Sequence, residues 1–185
     1  MKLSKKGEYA LRALIDIGLA HELGRPLLQL RELVDKEKIP AKFLEQILIE
    51  LRSEGFLESE RGKFGGYRLA RPAKEIVIGQ VVRKLDGPLA PIACVSQSAY
   101  CKCTCPDEDH CGLRMLMLDV RNAIAGILDR YTVADVVEVA LRKMRRDNVD
   151  LPFVTGSPRL RTAKAAAVAT PFETGLHEFF YREGI

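Results

Sequence analysis

Residues 40–71 read PAKFLEQILIELRSEGFLESERGKFGGYRLAR, which predicts a helix followed by a β-hairpin. Its first half spaces apolar side chains for a helix, which Pro40 opens at its first position and Gly55 closes. The apolar side of that helix consists of Phe43, Leu44, Ile47, Leu48 and Leu51. The second half predicts a two-stranded hairpin, with arms over 56–61 and 67–71, because three glycines supply a flexible turn between them.

Two shorter helical patterns precede this stretch. Ser4 can cap a first helix that runs to about Leu23, where Gly24 stops it. A second short helix fits Gln29–Lys36. Three short helices followed by a hairpin are the order of a winged helix-turn-helix head, so the predicted fold class is mostly α with a small β-hairpin wing.

A head of this kind offers its third helix to DNA, and the side chains offered are those that the core does not need. Gln46 can pair with adenine and Glu45 can accept a hydrogen bond from cytosine, whereas Lys42 is suited to phosphate. These residues and Ala41 lie off the apolar side of the helix. The alternative interpretation is that all four are solvated surface residues.

The hairpin tip, residues 61–66, is cationic and rich in glycine. Such a tip can lie along the phosphate backbone or enter the minor groove, with Arg61 as the inserted group and Lys63 beside it. Together with the three helices, this tip favours nucleic-acid binding over a merely solvated surface.

The whole chain has 185 residues, of which 47% are apolar and 29% are charged. This length suits one medium domain or a small domain with an extension, and the apolar share argues against wholesale disorder. A net charge of +4 permits contact with nucleic acid without demanding it. Since we find neither a long apolar run nor a signal-peptide pattern, we expect a cytoplasmic protein with no membrane partner.

The sequence does not have the pattern of an active site. It contains no Ser-His-Asp set, no phosphate-binding glycine loop and no paired catalytic acids that we can identify. We therefore predict that the chain is not an enzyme.

Three further helices are predicted after the hairpin. The first covers about Ile78–Leu85, the second is long and follows Cys111, and Thr132 caps the third, with Asp135 as an acidic capping-box partner. The long helix carries an apolar stripe made of Leu113, Leu116, Met117, Val120, Ile124, Ile127 and Leu128.

All five cysteines lie between Cys94 and Cys111. An odd number in a reducing compartment argues against a disulfide framework. Thiolates hold iron–sulfur clusters and also suit zinc. We therefore predict a metal or redox site within one loop, and a metal-free thiol switch is a further alternative.

The stretches MKLSKKGEYA (residues 1–10), FLEQIL (43–48) and RGKFGGYRLA (61–70) form a specific combination. Together they resemble the Rrf2 family of bacterial winged helix-turn-helix transcription regulators, which includes IscR, NsrR and CymR. The resemblance covers about residues 1–143. It implies a homodimer that reads a pseudo-palindromic operator in double-stranded DNA, with the long apolar stripe crossing the partner subunit.

The resemblance also divides the chain. The expected parts are a DNA-binding head at 1–72, a connecting helix and linker at 73–90, a cluster-binding cysteine loop at 91–111, and a dimerisation helix with the helix after it at 112–144. Residues 145–185 lie outside the resemblance and read as an irregular extension with one short helix near 176–181.

Cluster-binding members of the family carry three cysteines in this loop, the last of them at the start of the dimerisation helix. Cys94, Cys105 and Cys111 match best, and Cys105 and Cys111 keep the five intervening residues seen in IscR. The gap from Cys94 to Cys105 is longer than in IscR and contains Cys101 and Cys103. Either of these can replace Cys105 as the middle ligand.

A two-iron cluster with three cysteine ligands needs a fourth ligand. In IscR, a histidine three residues after the last cysteine fills that place, but Arg114 stands there in this chain and cannot ligate. Other members use an acidic residue near the N-terminus that reaches from the partner subunit, and Glu8 matches that position. His110 and the spare cysteines are competitors for the role.

The resemblance thus implies a regulator that senses iron, redox state or nitric oxide through an iron–sulfur cluster. A 2Fe-2S cluster is favoured, with a 4Fe-4S cluster or zinc as alternatives. The rival from another class is a winged-helix interaction module with structural zinc in the cysteine loop. If the cysteines do not respond to any signal, the remaining interpretation is a DNA-binding repressor without a sensing function.

Overall fold

In a computed structural model of the chain, the described residues are 3–154. They form α1 (Lys5–Glu22), α2 (Leu30–Glu37), α3 (Ala41–Ser53), β1 (Leu57–Glu60), β2 (Gly66–Leu69), α4 (Ile78–Asp86), α5 (Gly112–Leu128) and α6 (Val133–Arg146). Single turns of 3-10 helix cover Ala73–Glu75 and Ala93–Val95. This order confirms the predicted fold class, a mostly helical head with a hairpin wing. The short helix predicted near 176–181 lies outside the described residues.

The helix α1 begins where the sequence predicts, because Ser4 caps it. The Ser4 hydroxyl accepts a hydrogen bond from the Gly7 amide at 3.0 Å, and the Ser4 amide donates to the Asp86 carboxylate at 2.8 Å. Asp86 is the last residue of α4, so this cap also joins α1 to α4. A Cβ atom at Gly7 would lie 2.5 Å from the Asp86 carboxylate, so the close approach depends on glycine.

The turn between α2 and α3 depends on three consecutive residues. Lys38 has a left-handed backbone with φ of 54°, and Ile39 after it is buried in the core. Pro40 is the cap residue before α3, with ψ of 127°, and is not its first helical residue. The predicted position of Pro40 was therefore wrong by one residue, because the φ that proline imposes suits the cap as well as the first turn.

The hairpin pairs Leu57 with Leu69 and Glu60 with Gly66. Its arms are shorter than predicted because residues 61–65 form the turn. The hairpin is also joined to the segment that leads into α2. The Leu28 amide donates to the Tyr67 carbonyl at 3.0 Å, and the Tyr67 amide donates to the Leu28 carbonyl at 2.8 Å.

The core of the head is built around α1, which packs against α3, α4 and α6. Its fully buried side chains include Leu14, Ile17, Leu33, Leu44, Ile47, Leu48, Leu51 and Phe56. Gly18 lets α6 approach α1 closely, because a Cβ atom there would lie 2.9 Å from the Val137 side chain and 3.2 Å from that of Val133. The helix that follows α5 therefore returns to the head of the same chain.

The start of α6 has the capping box that the sequence predicts. The Thr132 amide donates to the Asp135 carboxylate at 2.8 Å, and the Asp135 amide donates to the Thr132 hydroxyl at 3.3 Å. The helix runs to Arg146, so the segment read as an irregular extension from 145 begins as helix. Farther along, the Phe153 carbonyl accepts a hydrogen bond from Arg25 at 2.9 Å.

The long helix α5 differs from the others because none of its residues is buried. The predicted apolar stripe is present, and the described part of this chain covers only some of it, because Met117, Val120, Ile124 and Leu128 are half-buried. Leu113, Met115 and Leu116 are 57%, 63% and 56% exposed, and Ile127 is 44% exposed. Within residues 3–154, we find no helix with the length and apolar character needed to span a membrane.

Candidate nucleic-acid interface and cysteine site

The helix α3 divides its side chains between core and solvent as the sequence predicts. Its inward side chains are at most 1% exposed and are those of Leu44, Ile47, Leu48 and Leu51. The residues predicted to contact DNA are all exposed: Ala41, Lys42, Glu45 and Gln46. A helix that is anchored by one face and offers polar side chains from its N-terminal half can enter a major groove.

The wing lies close to the start of α2. A Cβ atom at Gly66 would lie 2.4 Å from the Leu28 carbonyl oxygen, so this approach depends on glycine. The Gln29 side-chain amide donates to the Lys63 carbonyl at 3.1 Å, which holds the tip from the α2 side. The tip is therefore positioned by backbone contacts, and its side chains are left for a partner.

The positive charge of the wing is concentrated at its tip. Arg68, in β2, is paired with Glu58 at 2.8 Å and with Glu60 at 3.3 Å. Arg61 and Lys63 are exposed at the turn. The strands thus carry two carboxylates and one guanidinium, whereas the tip is cationic, as phosphate contact requires.

The cysteine loop forms a cavity of about 230 Å³ in front of the N-terminal end of α5. All five cysteines line it, and all are free thiols. The lining residues are Ile92, Ala93, Cys94, Cys101, Lys102, Cys103, Cys105, Cys111, Leu113 and Arg114. The loop therefore brings together residues that are up to 17 positions apart, from Cys94 to Cys111.

Four of the thiols interact in sequence: Cys94 with Cys103, Cys103 with Cys105, and Cys105 with Cys111. Cys105 hydrogen-bonds to Cys103, which lowers the pKa of the Cys103 thiol and raises the pKa of Cys105 to about 11. Burial raises the pKa of the Cys94 thiol, which also interacts with Cys103. The hydrogen bond between Cys103 and Cys105 thus favours one thiolate on this pair, and the thiolate is the form that binds metals.

A carboxylate that sequence reasoning missed lies beside the thiols. The Glu108 side chain is only 13% exposed and pairs with Arg114 at 3.2 Å. The Tyr100 hydroxyl donates to both Glu108 carboxylate oxygens at 3.0 Å. The sequence shows only that Glu108 and Arg114 have opposite charges. Because the chain before α5 has no regular period, their contact could not be predicted.

The two predicted ligands other than cysteine lie outside the cavity wall of this chain. His110 is 86% exposed in its side chain and pairs with Asp107 at 2.8 Å. Glu8, on α1, pairs with Lys5 at 2.8 Å, and this hydrogen bond lowers the pKa of the Glu8 carboxyl. The resemblance implies that a Glu8 ligand would come from a second subunit.

The cavity fits an iron–sulfur cluster by donor type. Its thiols are soft ligands, and Ile92 and Leu113 add apolar wall beside them. In the described part of the chain, no group of three or more His, Cys, Asp or Glu side chains is placed to hold a single metal ion. The fit therefore rests on the shared cavity and the thiol donors.

The head, the exposed third helix and the cationic wing define a class, the winged helix-turn-helix transcription regulators. Residues 3–139 match the family model Rrf2, described as an iron-dependent transcriptional regulator. The chain belongs to the Rrf2 family.

Curated relatives agree with this assignment. An rrf2-like HTH-type transcriptional regulator of Rhodobacter capsulatus is 35% identical over 137 residues, which are 73% of this chain and 91% of the relative. The HTH-type transcriptional regulator IscR of Serratia proteamaculans is 30% identical over 162 residues, covering 86% of this chain and 94% of that protein.

Solved structures share the fold. CymR, the global cysteine regulator of B. subtilis, has a TM-score of 0.64 at 28% identity, covering 75% of this chain and 98% of CymR. The IscR of T. potens has a TM-score of 0.58 at 28% identity, covering 76% of this chain and 88% of that chain.

The comparisons confirm the predicted family and fold class. They also confirm that the chain is not an enzyme, because its relatives are named as transcriptional regulators. DNA binding is implied by the family. The residues assigned to DNA and to metal stay predictions.

Proposed function

We propose that this chain is a homodimeric, sequence-specific DNA-binding regulator that senses iron, redox state or nitric oxide through an iron–sulfur cluster. The observation that carries the proposal is the cavity that all five thiols line. The cavity lies at the N-terminal end of α5. Among the described helices of eight residues or more, α5 alone has no buried residue. A change in the loop would therefore act on the helix that joins two heads.

The exposed apolar side chains of α5, Leu113, Leu116 and Ile127, support the homodimer. Moving one large apolar side chain from water into a packed interface contributes about 1.5–3 kcal/mol. A second copy of the chain, related by a two-fold axis, would cover both stripes at once. The two heads would then present α3 to half-sites about 34 Å apart in a pseudo-palindromic operator.

The exposed side chains of α3 suggest how each half-site is read. Gln46 is assigned to adenine and Glu45 to cytosine, whereas Lys42 contacts phosphate. Ala41 presents a small side chain where the helix approaches the base edges. Arg61 and Lys63 at the wing tip would contact the neighbouring minor groove and backbone.

Cys94, Cys105 and Cys111 would hold the cofactor, together with the partner's Glu8. Cys103, Cys101 and His110 are the alternative ligands. A bound iron–sulfur cluster supplies a redox-active group whose stability depends on its ligands and surroundings. A 2Fe-2S cluster is the preferred assignment, and a 4Fe-4S cluster or zinc are the alternatives.

The chain's own contacts connect the loop to the head through α5. Arg121, in α5, donates to the Val95 carbonyl in the loop at 2.9 Å. Asp129, directly after α5, accepts two hydrogen bonds from Arg83 of α4 at 2.6 and 2.7 Å. Reordering of the loop would therefore change the angle or separation of the two α3 helices, and with it the affinity for DNA.

Anaerobic purification of the full chain tests the proposal. We expect iron and acid-labile sulfide, visible absorbance that bleaches on oxidation or with nitric oxide, and a change in affinity for a duplex selected from a randomised pool. Cys105→Ala and Cys111→Ala should lose iron.

Cys101→Ala separates the preferred ligand set from the alternative one: if Cys94, Cys105 and Cys111 are the ligands, this change of the exposed thiol should keep the iron. A colourless protein with one zinc per chain would contradict the proposal and support an interaction module with structural zinc. A protein with neither metal nor sulfide, and with the same affinity in every thiol state, would be a plain repressor.

A further inference from the structure

The wing tip carries an aromatic side chain that the protein does not bury. Phe64 is 82% exposed, more than any other exposed large apolar side chain among residues 3–154. Burying an exposed aromatic ring against a partner would be favourable, because the apolar surface of the ring is then removed from water. Because α3 and the wing strands already have their own core, Phe64 is not needed for the fold.

The backbone that carries Phe64 is fixed on both sides. The Gly65 amide donates to the Gly62 carbonyl at 3.0 Å, and Gly62 has a φ of 110°. A Cβ atom at Gly65 would lie 2.2 Å from the Glu60 carbonyl oxygen, so glycine is required there. Together with the bond from Gln29 to the Lys63 carbonyl, these contacts join the turn to β1 and to the residue before α2.

The surroundings of Phe64 indicate an anionic partner. Arg61 and Lys63 are exposed in the same turn, and the Lys63 ammonium lies 5.7 Å from the centre of the Phe64 ring. The head that carries this turn belongs to a family of transcriptional regulators, which favours DNA over an acidic protein surface as the partner. A groove of duplex DNA offers phosphates for the cations and stacked bases for the ring.

We propose that Phe64 enters the minor groove as an apolar wedge and partly unstacks one base step, while Arg61 and Lys63 hold the flanking phosphates and groove. This inference rests on the proposed DNA-binding function. Apolar wedges of this kind separate base steps and bend the duplex towards the major groove. The wing would then recognise DNA by how easily a base step is unstacked. This recognition would add to the base contacts that α3 makes.

The test uses the full chain and a duplex that the wild type selects from a randomised pool. We expect Phe64→Ala to weaken binding about tenfold. The slope of log affinity against log salt concentration should stay unchanged, because this variant keeps every cationic side chain. Lys63→Ala is the matched comparison, and it should reduce that slope by about 0.9 for each phosphate that Lys63 neutralises in the wild type.

Two further readouts separate a wedge from a merely structural effect. A 2-aminopurine base, placed step by step along the wing-proximal minor groove, should brighten at one step with wild type and Phe64→Leu, but not with Phe64→Ala. Val149→Ala, at a residue that is 56% exposed outside the wing, should change neither affinity nor fluorescence.

The outcomes distinguish this inference from the function on which it rests. If the wild type selects no duplex, both the DNA-binding proposal and the wedge fail. If the wild type binds a selected duplex, while Phe64→Ala binds it equally well and gives the same fluorescence, the wedge is overturned and the regulator remains. Phe64 would then face another partner.

Discussion

Asp16 lies inside the core of the head, although aspartate is seldom buried. Its side chain is 3% exposed and contacts the Lys36 ammonium of α2, with which it forms an ion pair once the carboxyl is ionised. Burial has the largest effect on this group and raises the pKa of Asp16 to about 7. The helical pattern of α1 places Asp16 next to core positions, but its partner lies 20 residues away, so the pairing depends on how α1 and α2 pack.

The raised pKa of Asp16 predicts a pH dependence of stability. An exposed aspartate has a pKa of about 3.8, so between about pH 4 and 7 the folded state keeps a proton that the unfolded state releases. The stability that this proton contributes is complete below about pH 4 and is lost as the pH rises through about 7. We therefore expect wild type to lose stability from pH 5 to pH 8.

Asp16→Asn should flatten this profile in thermal unfolding of the reduced, metal-free chain. The difference between pH 5 and pH 8 should be at least about 1 kcal/mol larger in wild type, or about 2–4 °C in melting temperature. Asp119→Asn changes an exposed aspartate of α5 and serves as the control. Parallel profiles for wild type and Asp16→Asn would contradict the prediction.

At the scale of elements, local signals in the sequence predicted most boundaries. Ser4 caps α1 and Thr132 with Asp135 caps α6, because a side chain that bonds its own helix start needs no distant partner. Pro40 was misplaced by one residue, since proline is compatible with both positions. Local signals could not predict that α6 packs against α1 at Gly18, because this contact joins residues far apart in the sequence.

The helix α5 provides a prediction about assembly. Leu116 is 56% exposed in the single chain, so Leu116→Glu should leave the fold of the subunit intact. In a dimer whose apolar stripes meet, the same change would place a charge in the interface, where an unpaired charge is strongly unfavourable. We expect Leu116→Glu to shift the protein from dimer to monomer in sedimentation or light-scattering measurements.

The control for this shift lies on the same helix. Asp119 is exposed, and Asp119→Glu keeps both its charge and the length of α5. This variant should remain dimeric, with the same melting temperature as wild type. A Leu116→Glu protein that is still dimeric would show that the stripe of α5 is not the interface.

At the scale of the whole molecule, the sequence placed the cysteines in one loop but could not show how they are arranged. The loop has no helical or strand period, so the interaction of Cys103 with Cys105 and the burial of Cys94 follow only from the folded loop. The same holds for Glu108, whose partners Tyr100 and Arg114 are separated from it by irregular chain.

The assignment of Glu8 makes a prediction about two subunits together. A mixed dimer of one Glu8→Ala subunit and one Cys105→Ala subunit contains one complete site only if Glu8 acts on the partner's thiols. We expect purified mixed dimers to hold about half of the wild-type iron and sulfide, measured anaerobically. Dimers of either variant alone should hold much less.

Two other outcomes would contradict the assignment of Glu8 as the fourth ligand from the partner subunit. Mixed dimers with no more iron than the separate variants would show that Glu8 does not act across the interface. If Glu8→Ala dimers kept all the iron, the fourth ligand would be another group, and the spare thiols Cys101 and Cys103 line the same cavity.

At its C-terminal end, α5 is joined to α4 by the Arg83–Asp129 pair, and this attachment has a mechanical consequence. Its 17 residues make a rod about 26 Å long, with the Arg83–Asp129 pair as the fulcrum and the thiols at the far tip. A swing of about 5° about that fulcrum moves the tip by about 2 Å. A displacement of about 2 Å at the sulfur ligands therefore corresponds to a rotation of α5 by only a few degrees. A straight helix transmits this rotation along its whole length.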